Sequence, residues 1–436
     1  MSHVNVTADL SERNVELGST GSLASHACLV VGLICLAVAF LFPVLGIGDT
    51  TWGAFWRNWL QTWIFVLQIP LGAFFFVFVQ HLTRAGWSVA VRRPAEVIAS
   101  NLNWIWIGFL PIAALFFFGG SYYLFPWSDM SELAAHAPEE AHLVEGKTAY
   151  LNTPFFLIRA VIYFVVWAVL ANYFLRTSLR QGHEHGDGPT RSMQKVAAPA
   201  AILFGLTTTF AAFDWIMSLS PAWFSTMFGV YFFCGCATCG FAALILTCIM
   251  LQRNGHMVKV ITNEHYQDMG KLLFAFGMVF WAYIGFSQYM LIWYANIPEE
   301  TGWFLARQMG DWGWFSAWLL FGHFCIPFLF LISKHPKRNW RTLAFAAMWM
   351  MFFGWFDVYW LVMPTIPHDL ATFDTYDAAA EAYAHVGTGL LNPINWFLLA
   401  GMLGIITWIT ISRLRSHPLI CKSDPWIDES LNFENM

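Results

Sequence analysis

Two aspartates sit inside strongly apolar runs. Asp214 follows Phe213 near the end of AAPAAILFGLTTTFAAFDWIMSLS, and Asp357 follows Phe356 in TLAFAAMWMMFFGWFDVYWLVMP. A charge in hydrocarbon costs roughly 2.5–3.5 kcal/mol on insertion scales, so such groups are normally paired and put to use. Two further ionisable residues lie in similar runs, Arg159 and His323. At a helical rise of 1.5 Å per residue, Asp214, Asp357 and Arg159 each fall roughly 9–10 Å from a span end, and His323 falls roughly 18 Å in, near the midplane. The shared depth allows Arg159, whose guanidinium stays charged, to neutralise one aspartate. The other then needs a protonated His323, another partner or a proton of its own. Burial raises a carboxyl pKa and a neighbouring arginine lowers it, so two carboxyls near one arginine could exchange protons near neutral pH. A fixed Arg–Asp pair that locks helices together is the structural alternative.

The elements that must hold these groups are membrane helices. The chain has 436 residues, 58% hydrophobic and 11% charged, a membrane composition. Ten stretches reach the roughly 20 residues needed to cross a bilayer, near 26–45, 60–81, 103–125, 153–176, 197–219, 223–251, 270–292, 311–332, 341–363 and 390–412. They are too long for strands, so the expected fold is an all-α integral membrane bundle. No small-residue cleavage site follows the first apolar run, so that span is expected to be retained. Apart from Arg159, every Lys and Arg except Arg57, Lys147 and Arg307 falls on the side holding both termini. The positive-inside rule then makes both termini cytoplasmic, in what would be a bacterial inner membrane. The opposite face is acidic: one loop carries Asp129, Glu132, Glu139, Glu140 and Glu145, another Asp369, Asp374, Asp377 and Glu381.

Seven of the eight cysteines lie in predicted spans, which argues against a disulfide framework. Cys234, Cys236 and Cys239 have a metal-like spacing, but FFCGCATCGFAA is rich in the small residues that let membrane helices approach closely. The sequence holds no C-x-x-C-H for covalent haem. Only His323 is deep in a span, with His26 and His81 at span ends, so a redox metal is expected in partner subunits. At the cytoplasmic start of the seventh span, Glu264, His265 and Asp268 form either an N-terminal cap with dipole-complementing acids or a point of proton uptake. Near its other end, Gln288, Tyr289 and Tyr294 could bind a quinone headgroup or belong to an aromatic belt. His183 and His185 read as a solvated loop.

Spans 2–5 and 6–9 superpose as a parallel repeat. Each unit opens with a tryptophan, Trp59 or Trp223; its first helix carries a central glycine, Gly72 or Gly235; its third carries Arg159 or His323; its fourth carries the Phe-Asp pair. This divides the chain into an N-terminal segment 1–25, a first span and loop 26–59, four-helix bundles 60–222 and 223–389, and a last span and tail 390–436.

Five strings carry a resemblance: SQYMLIWYANIPEET from Ser287, YLNTPFFLIRA from Tyr150, ITNEHYQDMGKLLFAF from Ile261, WFSTMFGVYFF from Trp223 and the terminal ESLNFEN. From the second span onward the chain resembles membrane subunits of alternative complex III, a quinol:cytochrome c oxidoreductase, within the wider NrfD/polysulfide-reductase membrane-anchor family. The resemblance implies two four-helix bundles with two flanking helices and no redox cofactor in this chain. It implies as partners a paralogous quinol-oxidising subunit, an iron–sulfur protein, multihaem and monohaem cytochromes c, small membrane anchors and a terminal oxidase. The implied role is proton conduction coupled to quinol oxidation, along a path that maps onto Arg159, Asp214, His323 and Asp357, with Glu264, His265 and Asp268 on the cytoplasmic side. A quinol-binding subunit in its own right and a stand-alone secondary transporter are the competing expectations.

Overall fold

The computed structural model describes residues 8–47, 50–182, 186–364, 375–382 and 387–435. The predicted His183 and His185 loop, and the acids Asp369 and Asp374, lie outside them. Among the described residues there is no strand, and nine helices are long and apolar enough to cross a membrane. These are α1 (Ser22–Leu45), α2 (Trp52–Leu82), α4 (Thr153–Gln181), α5 (Gly188–Trp215), α6 (Phe228–Arg253), α7 (Asn263–Ala295), α8 (Asp311–Leu331), α9 (Trp340–Val362) and α10 (Pro393–Arg415). A bent pair, Gly86–Asn103 and Ile105–Phe118, supplies the tenth crossing, α3. The protein is a multi-pass, all-α membrane protein.

Two bundles are visible in the packing. Helix α2 gathers α3 and α5, with α4 against α3 and α5, while α6 gathers α7 and α9, with α8 against both of those. The lead helices α2 and α6 also pack on each other, and α1 pairs with α10 at the flank. Burial follows this order: 89% and 78% of the most apolar windows of α2 and α6 are buried, against 17% for α1. The central crossing is made by glycine. A Cβ added at Gly72 would lie 1.8 Å from the Cys236 carbonyl oxygen, and one at Gly240 would lie 2.3 Å from the Gly72 carbonyl carbon. Backbones meet there, as small residues permit in lipid. Cys234, Cys236 and Cys239 are buried free thiols at that seam, and Cys239 Sγ donates to Gln68 Oε1 at 3.4 Å. The glycine matching Gly72 across the seam is Gly240; an added Cβ at the expected Gly235 would meet the Gln68 amide instead.

The third crossing corrects the sequence reading of 103–125. It starts at Gly86 and bends by 41° at Trp104. Arg92, Arg93 and Glu96 lower the hydropathy of its first half, yet all three are buried. Arg92 pairs with Asp424 of the C-terminal tail; Arg93 Nε pairs with Glu96 Oε2 at 3.0 Å, and Arg93 Nη2 donates to the Ser178 carbonyl at 2.9 Å. Two arginines and two carboxylates offset each other, so a segment expected as solvated loop is core. Carbonyls freed at the bend accept from α2: Trp63 Nε1 bonds Ile105 O and Trp59 Nε1 bonds Gly108 O, both at 2.9 Å. Buried backbone without water must find such partners. Trp59 is thus inside α2, which starts at Trp52, and Trp223 precedes α6 rather than opening it.

Both termini meet at one end of the bundle. Met257 N donates to Asn14 O and Leu419 N to Val15 O, each at 2.8 Å. This agrees with an even number of crossings.

Candidate functional site

The four intramembrane groups form two separate networks, one per bundle. In the first, Arg159 of α4 grips Asp214 with two parallel bonds, Nε to Oδ2 and Nη2 to Oδ1, both 2.8 Å. Tyr163, one turn along α4, donates its hydroxyl to Oδ2 at 2.7 Å. The third guanidinium nitrogen donates to Tyr150 O at 2.9 Å, and the guanidinium lies 3.8 Å from the Tyr150 ring centroid. Burial and the Asp214 carboxylate push the Tyr150 phenol up, so its hydroxyl stays protonated. Fork-on-carboxylate geometry is the strongest ion-pair arrangement available to these groups, and Asp214 is fully buried.

The second network holds its carboxylate differently. Asp357 of α9 is 1% exposed. It accepts from Tyr231 Oη of α6 at 2.5 Å and from Trp281 Nε1 of α7 at 3.3 Å. Among the described residues no cation forms an ion pair with it. The expectation of two carboxyls sharing Arg159 therefore fails. The aspartates project into different bundles, and Arg159 is committed to one of them.

His323 joins the second network through an aromatic face rather than a hydrogen bond. Its ring stacks on Trp281 at 4.0 Å and 6°, the same indole whose N–H meets Asp357. Its Nε2–H donates to Gly277 O at 3.0 Å, while its buried Nδ1 has no hydrogen-bond partner among the described residues. Two π-helical segments make this possible, Leu273–Phe280 in α7 and Leu320–Cys325 in α8. A π segment widens the turn and redirects carbonyls, and such segments are often functional. Here Gly277 O also accepts from Thr238 Oγ1 at 3.0 Å, and Gly322 O accepts from Trp349 Nε1 at 2.7 Å. Gly322 has to lack a side chain: its Cβ would lie 1.8 Å from the Phe353 ring.

Arg307, one of the three cations expected on the side opposite the termini, is buried at 1% exposure. Its guanidinium stacks 3.4 Å above the Trp303 ring and donates to Trp303 O, Trp360 O and Leu361 O at 2.8, 3.1 and 2.9 Å. It thereby caps the last turn of α9, directly after Asp357. Burial pulls its pKa down, though arginine stays protonated in proteins. Sequence gave one usable signal for it, an isolated arginine among Trp303, Phe304 and Trp312.

The other predicted residues are dispersed. Thr262 and His265 close a capping box: His265 Nδ1 is 3.1 Å from Thr262 N, and its Nε2 is 3.3 Å from Ser430 Oγ of the tail. Glu264 is gripped by Arg338 and accepts from Asn435 N, while Asp268 pairs with Lys271. The capping alternative is thus realised in geometry. His265 is twelve residues from Gly277, about 18 Å along α7. Gln288 is buried, Tyr294 is 88% exposed, and Tyr289 meets Phe304 edge to face, so these three do not converge. The groove of about 530 Å³ between α8 and α9 is instead lined by Trp314, Phe315, Trp318, Trp349, Phe353 and Phe356, with Asp311 and Thr388 at its rim. Phe356 is among its lining residues, but neither Asp214 nor Asp357 is.

Comparison of the sequence with protein-family models finds no matching family. Comparison with curated proteins finds no match either.

Proposed function

We propose that this chain is a cofactor-free membrane subunit of a quinol:cytochrome c oxidoreductase of the alternative complex III type, and that its second bundle handles the protons of the coupled reaction. The observation that carries this reading is the contrast in how two equally buried carboxylates are held. Asp214 is fixed by a bidentate arginine, whereas among the described residues the donors to Asp357 are neutral and can accompany a change in its protonation. Trp281 links Asp357 to the His323 ring, and the Gly277 carbonyl links His323 to Thr238. Asp357 takes up and releases the proton, Tyr231 and Trp281 orient its two oxygens, and Arg159 with Asp214 holds the first bundle rigid. Quinol oxidation, releasing two electrons and two protons, belongs to partner subunits carrying the iron–sulfur and haem groups. The aromatic groove supports this division, because neither Asp214 nor Asp357 is among the residues that line it.

The assembly is tested by purifying the tagged native protein in mild detergent. A haem c spectrum with an iron–sulfur subunit and a second ten-span protein is the expected result; a colourless, stable homo-oligomer would overturn the assignment in favour of a transporter. Within the assembled complex, Asp357→Asn is expected to lower protons translocated per electron while leaving assembly intact.

A further inference from the structure

At the basic end of the bundle, the start of α7 and the turn into α9 form an open pocket of about 360 Å³ lined by Asn263, Arg338, Asn339, Trp340 and Arg341. Two guanidiniums stack on the one indole: Arg253 lies 4.6 Å and Arg341 5.3 Å from the Trp340 ring. Arg338 is committed to Glu264, but among the described residues neither Arg253 nor Arg341 forms an ion pair. The Asn339 side chain accepts from Arg341 N at 2.9 Å, which fixes the turn that presents Arg341. Below the pocket the surface is apolar. Phe345, Met348 and Phe352 follow Arg341 at helical spacing along one stripe of α9, and they are 52%, 55% and 41% exposed.

We propose that this is a binding site for one anionic glycerophospholipid. Arg253 and Arg341 take the phosphate diester at the level of Trp340, and an acyl chain lies along Phe345, Met348 and Phe352. The chemistry fits a lipid better than a free anion. Two unpaired guanidiniums at the membrane rim attract an anionic headgroup, an interfacial tryptophan marks headgroup depth, and the stripe continues the site into the hydrocarbon. A zwitterionic lipid would bring an ammonium group against the same arginines. The site lies on the outside of α9 and is independent of the proton-handling role proposed above.

The test compares the purified protein in nanodiscs of phosphatidylcholine alone with nanodiscs containing phosphatidylglycerol. Native mass spectrometry of protein released from the mixed discs should retain phosphatidylglycerol on the natural chain, with retention falling about tenfold in Arg253→Gln/Arg341→Gln. Arg191→Gln/Arg415→Gln, which removes equal charge elsewhere on the same face, should keep it. Equal loss in both double variants would reduce the effect to general charge attraction and overturn the site. Displacement of the lipid by millimolar inorganic phosphate would overturn the lipid in favour of a free anion. If the arginine variant does not purify, the natural chain still decides the matter. A phosphatidylglycerol with a photoreactive tail should label the 342–352 segment, and label spread evenly over all lipid-facing helices would overturn the proposal.

Discussion

The two bundles place the same Phe-Asp pair at the same depth on the same helix of each unit, and then treat the aspartates in opposite ways. Around Asp214, Arg159 supplies two bonds and Tyr163 a third. Around Asp357, the donors are a phenol and an indole. The second bundle does contain a counterpart arginine. Arg159 stacks on Tyr150 and Arg307 on Trp303, each bonded to the carbonyl of the residue it stacks on. Arg307, however, spends its remaining donors on Trp360 O and Leu361 O at the end of α9 rather than on Asp357. Each bundle thus holds a buried arginine at this end, but in the second the guanidinium sits about one turn farther along the helix that carries the aspartate. A clamped carboxylate joins two helices; the other, among the described residues, is held by neutral donors without a paired cation.

Breaking the clamp gives the largest expected effect. Arg159→Gln or Asp214→Asn leaves one buried charge unpaired and should cost about 3–5 kcal/mol, seen as a large fall in thermal midpoint or loss of folded protein from membranes. Arg159→Met combined with Asp214→Leu should recover most of that loss, since replacing a whole buried pair by apolar residues is often neutral. A double variant as unstable as the singles would mean that the pair does more than fill its own site.

Gly72→Ala tests whether the halves act as one body. Its Cβ would collide with the Cys236 carbonyl, and overpacking of that kind costs about 1–3 kcal/mol. The loss should appear in the global unfolding transition, because the seam joins both bundles; an early transition confined to one bundle would contradict this. Tyr231→Phe removes one donor from Asp357 and should cost about 1–3 kcal/mol, the range for leaving a buried polar atom unsatisfied.

Asp357→Asn sharpens the comparison most. The amide oxygen can still accept from one donor, so the stability change should stay within about 1.5 kcal/mol, the net worth of one ordinary hydrogen bond. Its effect should appear in the protons moved per electron by the assembled complex. Instability equal to that of Asp214→Asn would make Asp357 a second lock. The smallest effect is expected for Glu264→Gln, which weakens a partly exposed pair with Arg338 at the start of α7 and should change stability by about 0–1 kcal/mol.

Hydropathy found nine of the ten crossings and missed the first half of the third. Lipid forces each crossing to satisfy its backbone internally, so a span announces itself as a long apolar helix. Arg92, Arg93 and Glu96 break that signal, because their neutralising partner Asp424 lies more than three hundred positions away and only packing brings it in. Arg307 hid for a similar reason: its acceptors are backbone carbonyls, which leave no trace in residue type.

Residue types and spacing determined that this is an all-α membrane bundle with charged groups at one shared depth in each half. The rotation of each helix about its own axis decided which groups meet. That rotation was set by the glycine seam between α2 and α6, and the π segments of α7 and α8 turned His323 toward Gly277. These are properties of packed surfaces, so Arg159 came to Asp214, and Asp357 was left to Tyr231 and Trp281, only once the helices had docked.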